Sequence, residues 1–493
     1  MSKTWPATSK ASRNLFLFGR DLRLGDHAGL SDADRFGEVI PALVVEPRGF
    51  ARLTANPRRL AYYCGAVASL ARDLEARGTR LVCRRGDAIA TVLRLAREAR
   101  VDRVTWSAAY DARGAARGRS LQSALEEAGI RVAIVHDALA VPPDETAAAR
   151  TADGGVGYRS LSAYLAAWSA QPREPFAAAP RFASHDLVSE QLPSPPQDSG
   201  EAANTDAPSE TRMRAKLDAY LANAVLHYRS ARNVPASGPT SHLSAALSFG
   251  VISARTVLHE VDRRARDPFL LTEERASLDD FRRSLGRRDF FLQLAWFFED
   301  EPDAVLQQRM RGFPFARSHA SLAAWREGCT GFPLVDAGMR ELRATGWMHP
   351  RVRSVVASFL CFDLGVDWRV GRDAWDAELV EDDAALANGN WQWAAGVGAD
   401  LAQFPRIYNP FKQARSFDPS GTYLRRWIPE LANAADADIL DTNAVQRRRQ
   451  LALPLFEDAR YPAPVLDHDS IARAFLARYA KFKSASAGST ATR

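Results

Sequence analysis

Cysteine is scarce. Cys64, Cys83, Cys329 and Cys361 are the four in 493 residues, and none are spaced as a disulfide or metal-binding pair. That scatter argues for reduced thiols and against a zinc or iron–sulfur centre, so no metal is expected. Long hydrophobic runs are missing as well. None approaches the roughly 20 residues that cross a bilayer, which removes a membrane from the expected partners. The opening Met1-Ser-Lys-Thr-Trp-Pro6 has no apolar signal core, which points to the cytoplasm. No internal repeat is present, so a solenoid is not expected. Neither sign of charge dominates: the net charge of +6 is a modest basic excess, compatible with a polyanionic partner and weak evidence for one. The length exceeds one ordinary core and suggests two or three domains. A hydrophobic content of 46% with 25% charged residues is that of a globular chain, expected as a monomer.

What is present has a clear order. Short apolar runs at Asn14-Leu-Phe-Leu-Phe18, 39–45, 80–83, 103–106 and 131–135 read as buried strands. Helical patterns at 58–77, 88–99 and 114–128 separate them. Alternation of this kind predicts a doubly wound α/β domain with a parallel sheet over 12–140. Pro, Ala, Ser and Asp enrich the stretch around Leu192-Pro-Ser-Pro-Pro, so 141–210 reads as an interdomain linker. From 211 to 483 the patterns are helical, predicting an all-α domain, and 484–493 reads as a flexible tail.

The most informative segment is Asp383-Ala-Ala-Leu-Ala-Asn-Gly-Asn-Trp391-Gln-Trp393, followed by small residues and glycines. Glycines let backbone approach a flat ligand. Indoles stack on rings and can carry an electron. Trp368 lies upstream in Gly365-Val-Asp-Trp-Arg369. With Gly331-Phe-Pro-Leu-Val-Asp-Ala-Gly-Met-Arg340 and Gly346-Trp-Met-His-Pro-Arg-Val-Arg353, this stretch closely resembles the flavin-binding core of the DNA photolyase/cryptochrome family. The likeness runs from Arg20-Asp-Leu-Arg-Leu24 to Tyr479. It implies an α/β antenna-type domain, a helical domain binding FAD, blue-light chemistry and DNA as partner. The cysteine pattern sets the chain apart from the family's iron–sulfur branch.

Tyr228 and Thr240-Ser-His-Leu-Ser244 open the helical domain. Alone, the Thr-Ser pair is an ordinary helix cap. A helix start also gathers N–H groups that suit a diphosphate. The spacing of twelve from Tyr228 to Thr240 matches the family. The resemblance then assigns Tyr228, Thr240, Ser241, Leu243 and Ser244 to the FAD phosphates and ribitol. Arg288, Arg353, Glu381 and Asp383 align with residues around the family's isoalloxazine, Arg353 and Glu381 with an ion pair near flavin N5. Considered without the resemblance, Asp383 is a helix cap and Glu381 a surface acid.

Several positions depart from the family pattern. Ser284, Arg287 and Pro350 stand where dimer-repairing members carry a Glu, a Trp and an Asn that contact the damaged base. Ser284, Arg287 and Arg288 share one helical face. Losing a stacking aromatic costs about 1–3 kcal/mol, and each lost hydrogen bond roughly 0.5–1.5 kcal/mol. The sum, on the order of 2–6 kcal/mol, is about 30-fold to more than 10,000-fold in affinity. Ala387 stands where an Asn faces flavin N5. Phe315 replaces the third member of a tryptophan chain that Trp391 and Trp368 begin; Trp325 or a tyrosine is the alternative donor.

Arg406, in Phe404-Pro-Arg-Ile-Tyr-Asn-Pro410, matches a phosphate-contacting arginine of the family, with Arg311, Arg317, Arg425 and Arg426 as further basic candidates. For any one of them a solvated surface is the simpler reading; as a group they suit salt-dependent DNA binding. Arg447-Arg-Arg449 reads as a solvated helix face. Tyr110-Asp111 loosely resembles the family's antenna-binding pair, which allows a folate or deazaflavin chromophore. Three functions compete: a cryptochrome-like photoreceptor with classical dimer repair weak or lost, an active photolyase with an altered lesion pocket, and a non-photochemical FAD or nucleic-acid binder. The changed lesion positions favour the first. The intact tryptophans disfavour the third.

Overall fold

The computed structural model describes residues 12–148, 156–172, 175–176, 180–195, 208–238, 240–298, 303–307, 310–399, 405–440 and 461–490. Chain contacts divide the protein into two compact units. The first comprises Met1–Leu226, Ser241–Pro302 and Val380–Asp383; the second comprises His227–Thr240, Asp303–Leu379 and Ala384–Arg493.

The first unit is built on five strands, β1 (Arg13–Phe18), β2 (Glu38–Val45), β3 (Val82–Arg85), β4 (Arg103–Ser107) and β5 (Arg131–Val135). All pairings are parallel, in the order β3-β2-β1-β4-β5. This is the predicted doubly wound sheet. Its inner strands are buried on both faces and therefore read as continuous apolar runs rather than alternating ones. Leu15 pairs with Ile40 on one side and Val104 on the other, and all three are fully buried.

Side-chain caps start the helices between the strands: Asn56 for Pro57–Glu75, Asp87 for Ala88–Glu98 and Asp111 for Ala112–Glu127. Within 141–210, the helices Pro143–Ala148 and Leu161–Ser169 form. The chain at 181–190 runs beside β2 and β3, with Val39 N–H donating to Arg181 O (3.0 Å) and Glu190 N–H to Cys83 O (3.0 Å). The 27-residue helix Thr272–Phe298 belongs to this same unit.

The sheet order reverses beside β1, the place where open α/β sheets take ligands at their carboxyl ends. Buried charge fills part of that edge. Asp137, just after β5, receives Arg23 (2.7 Å) and Arg255 (2.7 Å), and Arg255 also reaches Asp26 (3.2 Å). Burial would raise the Asp137 pKa, but the guanidinium groups and His27 hold it far below the carboxylate range. Beside it, Tyr110 hydrogen-bonds His136 Nδ1 at 2.9 Å, and Trp296 stands edge-on to His136 at 4.7 Å. Asp111, paired with Tyr110 in the sequence reading, caps its helix by accepting from Gly114 N–H.

The second unit is helical. Pro333–Thr345, Pro350–Ser358, Trp368–Asp376, Ala384–Ala394 and Pro410–Phe417 surround one apolar core. Gly346 ends the first of these with φ +72°, a left-handed position that glycine adopts without strain. The C-terminal helix His468–Thr490 lays Phe475 and Tyr479 on Phe313. Its start is held by a hydrogen bond between His468 Nδ1 and the buried Asp363. It extends through most of the segment read as a tail. Arg447 to Arg449 lie outside the described residues. All four cysteines are free. Among the described residues no helix is long and apolar enough to cross a membrane, and no cluster of His, Cys, Asp and Glu is placed to hold a metal ion.

Candidate functional site

In the first unit, the candidate residues come from three segments. Leu243 is buried and anchors the short helix Ser244–Ser248 in the core; Ser241 is half-buried and Ser244 exposed. The strip 380–383 runs along that helix. Ser244 Oγ donates to Glu381 Oε2 at 2.7 Å, and Asp382 N–H donates to Ser248 Oγ at 2.9 Å. Asp383 and Glu381 are half-buried, but the fully buried acid is the one between them. Asp382 is paired by Arg20, Arg52 (3.1 Å) and Arg59 (3.8 Å). Burial pushes its pKa up, yet the three arginines overcome that and hold it below the usual value. Sequence reading missed Asp382. The run Glu381-Asp382-Asp383 offers three acids in a row, and periodicity does not say which one turns inward.

On the helix Thr272–Phe298, Ser284 spends its hydroxyl on its own backbone, donating to Phe281 O at 2.6 Å. Arg287 is exposed. Arg288 turns into the unit, donating to Ala138 O (2.7 Å) and Leu247 O (3.5 Å), while its Nε is buried with no hydrogen-bond partner. The next residue, Asp289, is buried, accepts from Trp168 Nε1 (3.0 Å) and Ala140 N–H (2.8 Å), and has its pKa raised by burial.

In the second unit, Tyr228 begins the short helix Tyr228–Ala231, with the Arg232 guanidinium 5.7 Å from its ring centre. Thr240 Oγ1 is buried without a hydrogen-bond partner. Arg353 is half-buried and donates through Nε to Met348 O at 2.8 Å. Pro350 is exposed and occupies the first turn of Pro350–Ser358, where its missing N–H and fixed φ suit a helix start. Ala387 is half-buried. Asn388, one position on, is turned to Arg372, whose Nη1 donates to Asn388 Oδ1 at 2.8 Å.

Trp368 is fully buried, Trp391 is buried and Trp393 half-buried. Trp375, which sequence reading passed over, packs on Trp391 with ring centres 4.5 Å apart. Phe315 joins an aromatic cluster with Phe313 (4.7 Å) and Phe475 (6.3 Å). Trp325 is fully buried and donates through Nε1 to Val356 O at 3.3 Å. Arg406, Arg311, Arg317 and Arg426 are exposed, whereas Arg425 is committed to Ala434 O (2.7 Å) and to Asp436.

Residues 14–181 match the family model described as DNA photolyase, and residues 281–481 match the FAD binding domain of DNA photolyase. A deoxyribodipyrimidine photo-lyase of Synechococcus is 32% identical over 490 residues, covering 96% of this chain and 97% of the relative. The chain belongs to the DNA photolyase family. The photo-lyase of Halobacterium salinarum, at 33% over 478 residues, covers 92% of this chain and 96% of its own.

Among solved structures, a class III photolyase from Agrobacterium tumefaciens matches with a TM-score of 0.82 and 31% identity, covering 98% of this chain and all of that one. A Synechocystis cryptochrome matches at 0.81 and 26%, covering 96% of this chain and all of that one. An archaeal photolyase from Sulfolobus tokodaii, solved with two FAD molecules, matches at 0.76 and 26%, covering 95% of this chain and all of that one.

The protein is thus a flavoprotein of the photolyase family with FAD as cofactor. Its own residues fit that cofactor. Thr240 Oγ1 is a buried hydroxyl left without a protein partner, in the segment the family motif assigns to the flavin nucleotide. A buried polar atom of this kind is costly unless a ligand satisfies it. When bound, FAD supplies light absorption and one-electron chemistry.

Proposed function

We propose that this protein is a light-dependent DNA photolyase with an altered lesion-contacting surface. The observation that carries the reading is identity of 30% or more, over nearly the whole chain, with proteins named deoxyribodipyrimidine photo-lyase. It shifts the balance away from the cryptochrome-like loss of repair that the changed positions alone favour. A fold retained without the chemistry would not need the buried Trp391 and Trp368.

The FAD-binding residues in this reading are Tyr228, Thr240, Ser241, Leu243, Ser244, Arg288, Arg353, Glu381 and Asp383, with Ala387 near the ring. Ser244 lies beside the Glu381 carboxylate. A carboxylate repels phosphate, so Ser244 suits a ribitol hydroxyl, and Thr240 with Ser241 suit the diphosphate. Arg353, oriented by the bond from its Nε to Met348 O, would place its positive charge beside the isoalloxazine.

The lesion side would work differently from that of dimer-repairing relatives. Ser284 satisfies itself on Phe281 O and offers no acid. Pro350 has no donor. Arg287 is exposed, and its planar guanidinium can lie over a base, although with less area than an indole. Arg406, Arg311 and Arg317 would neutralise phosphates without reading sequence. Trp391 and Trp368 carry electrons toward the cofactor, and Trp393 faces the substrate side. The deciding experiment is repair of a cyclobutane-dimer oligonucleotide by fully reduced protein under blue light. Repair above the dark control is expected. No repair at saturating DNA would return the cryptochrome-like photoreceptor to first place, a reading that the Synechocystis cryptochrome match also favours.

A further inference from the structure

We infer that Asp382 is a positioning residue for the cofactor. It fixes the strip 380–383 so that Glu381 stands against Ser244, a role that rests on the proposed reading of Ser244 and Glu381 as FAD contacts. Three guanidinium groups meet on its one carboxylate. Arg20 comes from the chain just after β1, Arg52 (3.1 Å) from the helix Pro47–Thr54 and Arg59 (3.8 Å) from the helix Pro57–Glu75. One cation would be enough to neutralise the acid. Three, arriving from separate elements, also fix where it sits. Asp382 is 2% exposed and Arg59 1%, so this pair cannot swing out into water.

The main chain is clamped at the same point. Asp382 N–H donates to Ser248 Oγ at 2.9 Å, and Arg59 Nη2 donates to Glu381 O at 3.4 Å. These are the two sides of one peptide group, and because the peptide is planar the two bonds set its orientation. The Glu381 side chain leaves from that fixed plane, and its Oε2 accepts from Ser244 Oγ at 2.7 Å. Ser244 is exposed and Glu381 half-buried, so packing alone does not hold them together. The buried acid next in the chain does.

The side that receives the strip is built on the same elements. Ser244 and Ser248 are the two ends of one short helix. Just beyond it, Phe249 stacks on Tyr62 of the helix that carries Arg59, with ring centres 5.5 Å apart, and its carbonyl accepts from Leu22 N–H at 3.1 Å. Gly250, at φ +63°, sits where a Cβ would meet Arg20 O at 2.3 Å and Asp21 Cα at 2.5 Å, so only glycine admits the loop that brings Arg20 to Asp382. The segments that hold Asp382 therefore also hold the helix from which Ser244 projects.

The test is retention of FAD by the loaded protein, read as the rate at which free-flavin fluorescence appears on dilution, without DNA and without repair. Asp382→Asn keeps the shape of the side chain and removes its charge. It should release FAD about tenfold faster, the effect of losing roughly one hydrogen bond to a charged group, and Glu381→Ala should do the same. In the Glu381→Ala background, Asp382→Asn should add less than about twofold, because a residue acting through Glu381 then has nothing left to position. Asp32→Asn, which breaks an ion pair to Arg103 (2.7 Å) in the same unit, should release FAD at the wild-type rate and so separates positioning from a general loss of stability. Arg52→Gln, at an exposed member of the cluster, covers the case in which Asp382→Asn does not fold, and should speed release about two- to threefold. Effects of Asp382→Asn and Glu381→Ala that multiply in full would overturn the positioning role alone. So would wild-type release in Asp382→Asn and Arg52→Gln while Glu381→Ala is fast. Wild-type release in Glu381→Ala would overturn that role together with the assignment of Glu381 to the cofactor. Because release is read without substrate, an absence of dimer repair would count against the photolyase reading and leave the result on Asp382 standing.

Discussion

The tryptophan core of the helical unit and the positions proposed to face a lesion answer to different forces. Trp391, Trp375 and Trp368 are buried and hemmed in by Gly371, Leu360 and Arg372, so each is held by close packing. Ser284, Arg287 and Pro350 are half-buried or exposed; Ser284 bonds its own backbone and Pro350 opens a helix. A buried indole cannot be exchanged without a cavity or a clash. An exposed side chain can change at little cost to the fold, and with it the choice of substrate. On the proposed function, one chain can therefore keep its tryptophan core and revise what it repairs.

The largest effect that would sharpen this contrast is on DNA. Ser284→Glu, Arg287→Trp and Pro350→Asn together should raise affinity for a dimer over intact DNA by about 2–6 kcal/mol, and non-additively if, as the proposed function holds, all three contact the lesion. Competition binding with dimer and undamaged duplexes measures it. A wild type that already discriminates as strongly as the triple variant would break the comparison.

Next in size is Asp382→Asn, which leaves Arg59 buried and Arg20 and Arg52 without their acid. Arg20 and Arg52 are more than a third exposed, and water screens them. A loss of about 2–4 kcal/mol is expected rather than the full cost of an uncompensated buried charge. Because the Asp382 pKa is lowered on folding, its contribution is present above about pH 4 and fades as pH falls through the folded value. The wild type should thus lose its advantage over the variant in acid. Denaturant midpoints at pH 7 and pH 3 check this; a gap that stays constant would refute it.

Gly371→Ala should cost about 1–3 kcal/mol by overpacking against Trp391. A melting curve with the wild-type midpoint would mean that the indole has room to move. The smallest effect belongs to the surface. Arg406→Ala should weaken dimer-containing and intact DNA alike and flatten the dependence of log affinity on log salt by about one unit. A selective loss for damaged DNA would instead make Arg406 a lesion contact.

The sequence by itself determined the alternation of strand and helix, because inner parallel strands and amphipathic helices leave distinct hydrophobic periods. It also pointed to the family and to FAD, because the resemblance is carried by residues that are legible in one dimension. Only the tertiary structure decided which of three consecutive acids is the buried hub, since Asp382 is selected by Arg20, Arg52 and Arg59, which lie more than 300 positions away in the chain. Only it placed Trp375 against Trp391, a contact between two helices that no local period announces. It also turned Asn388 to Arg372. In each case the physical reason is the same. Local pattern fixes which elements form, whereas burial and charge pairing depend on partners that meet only when the chain has folded.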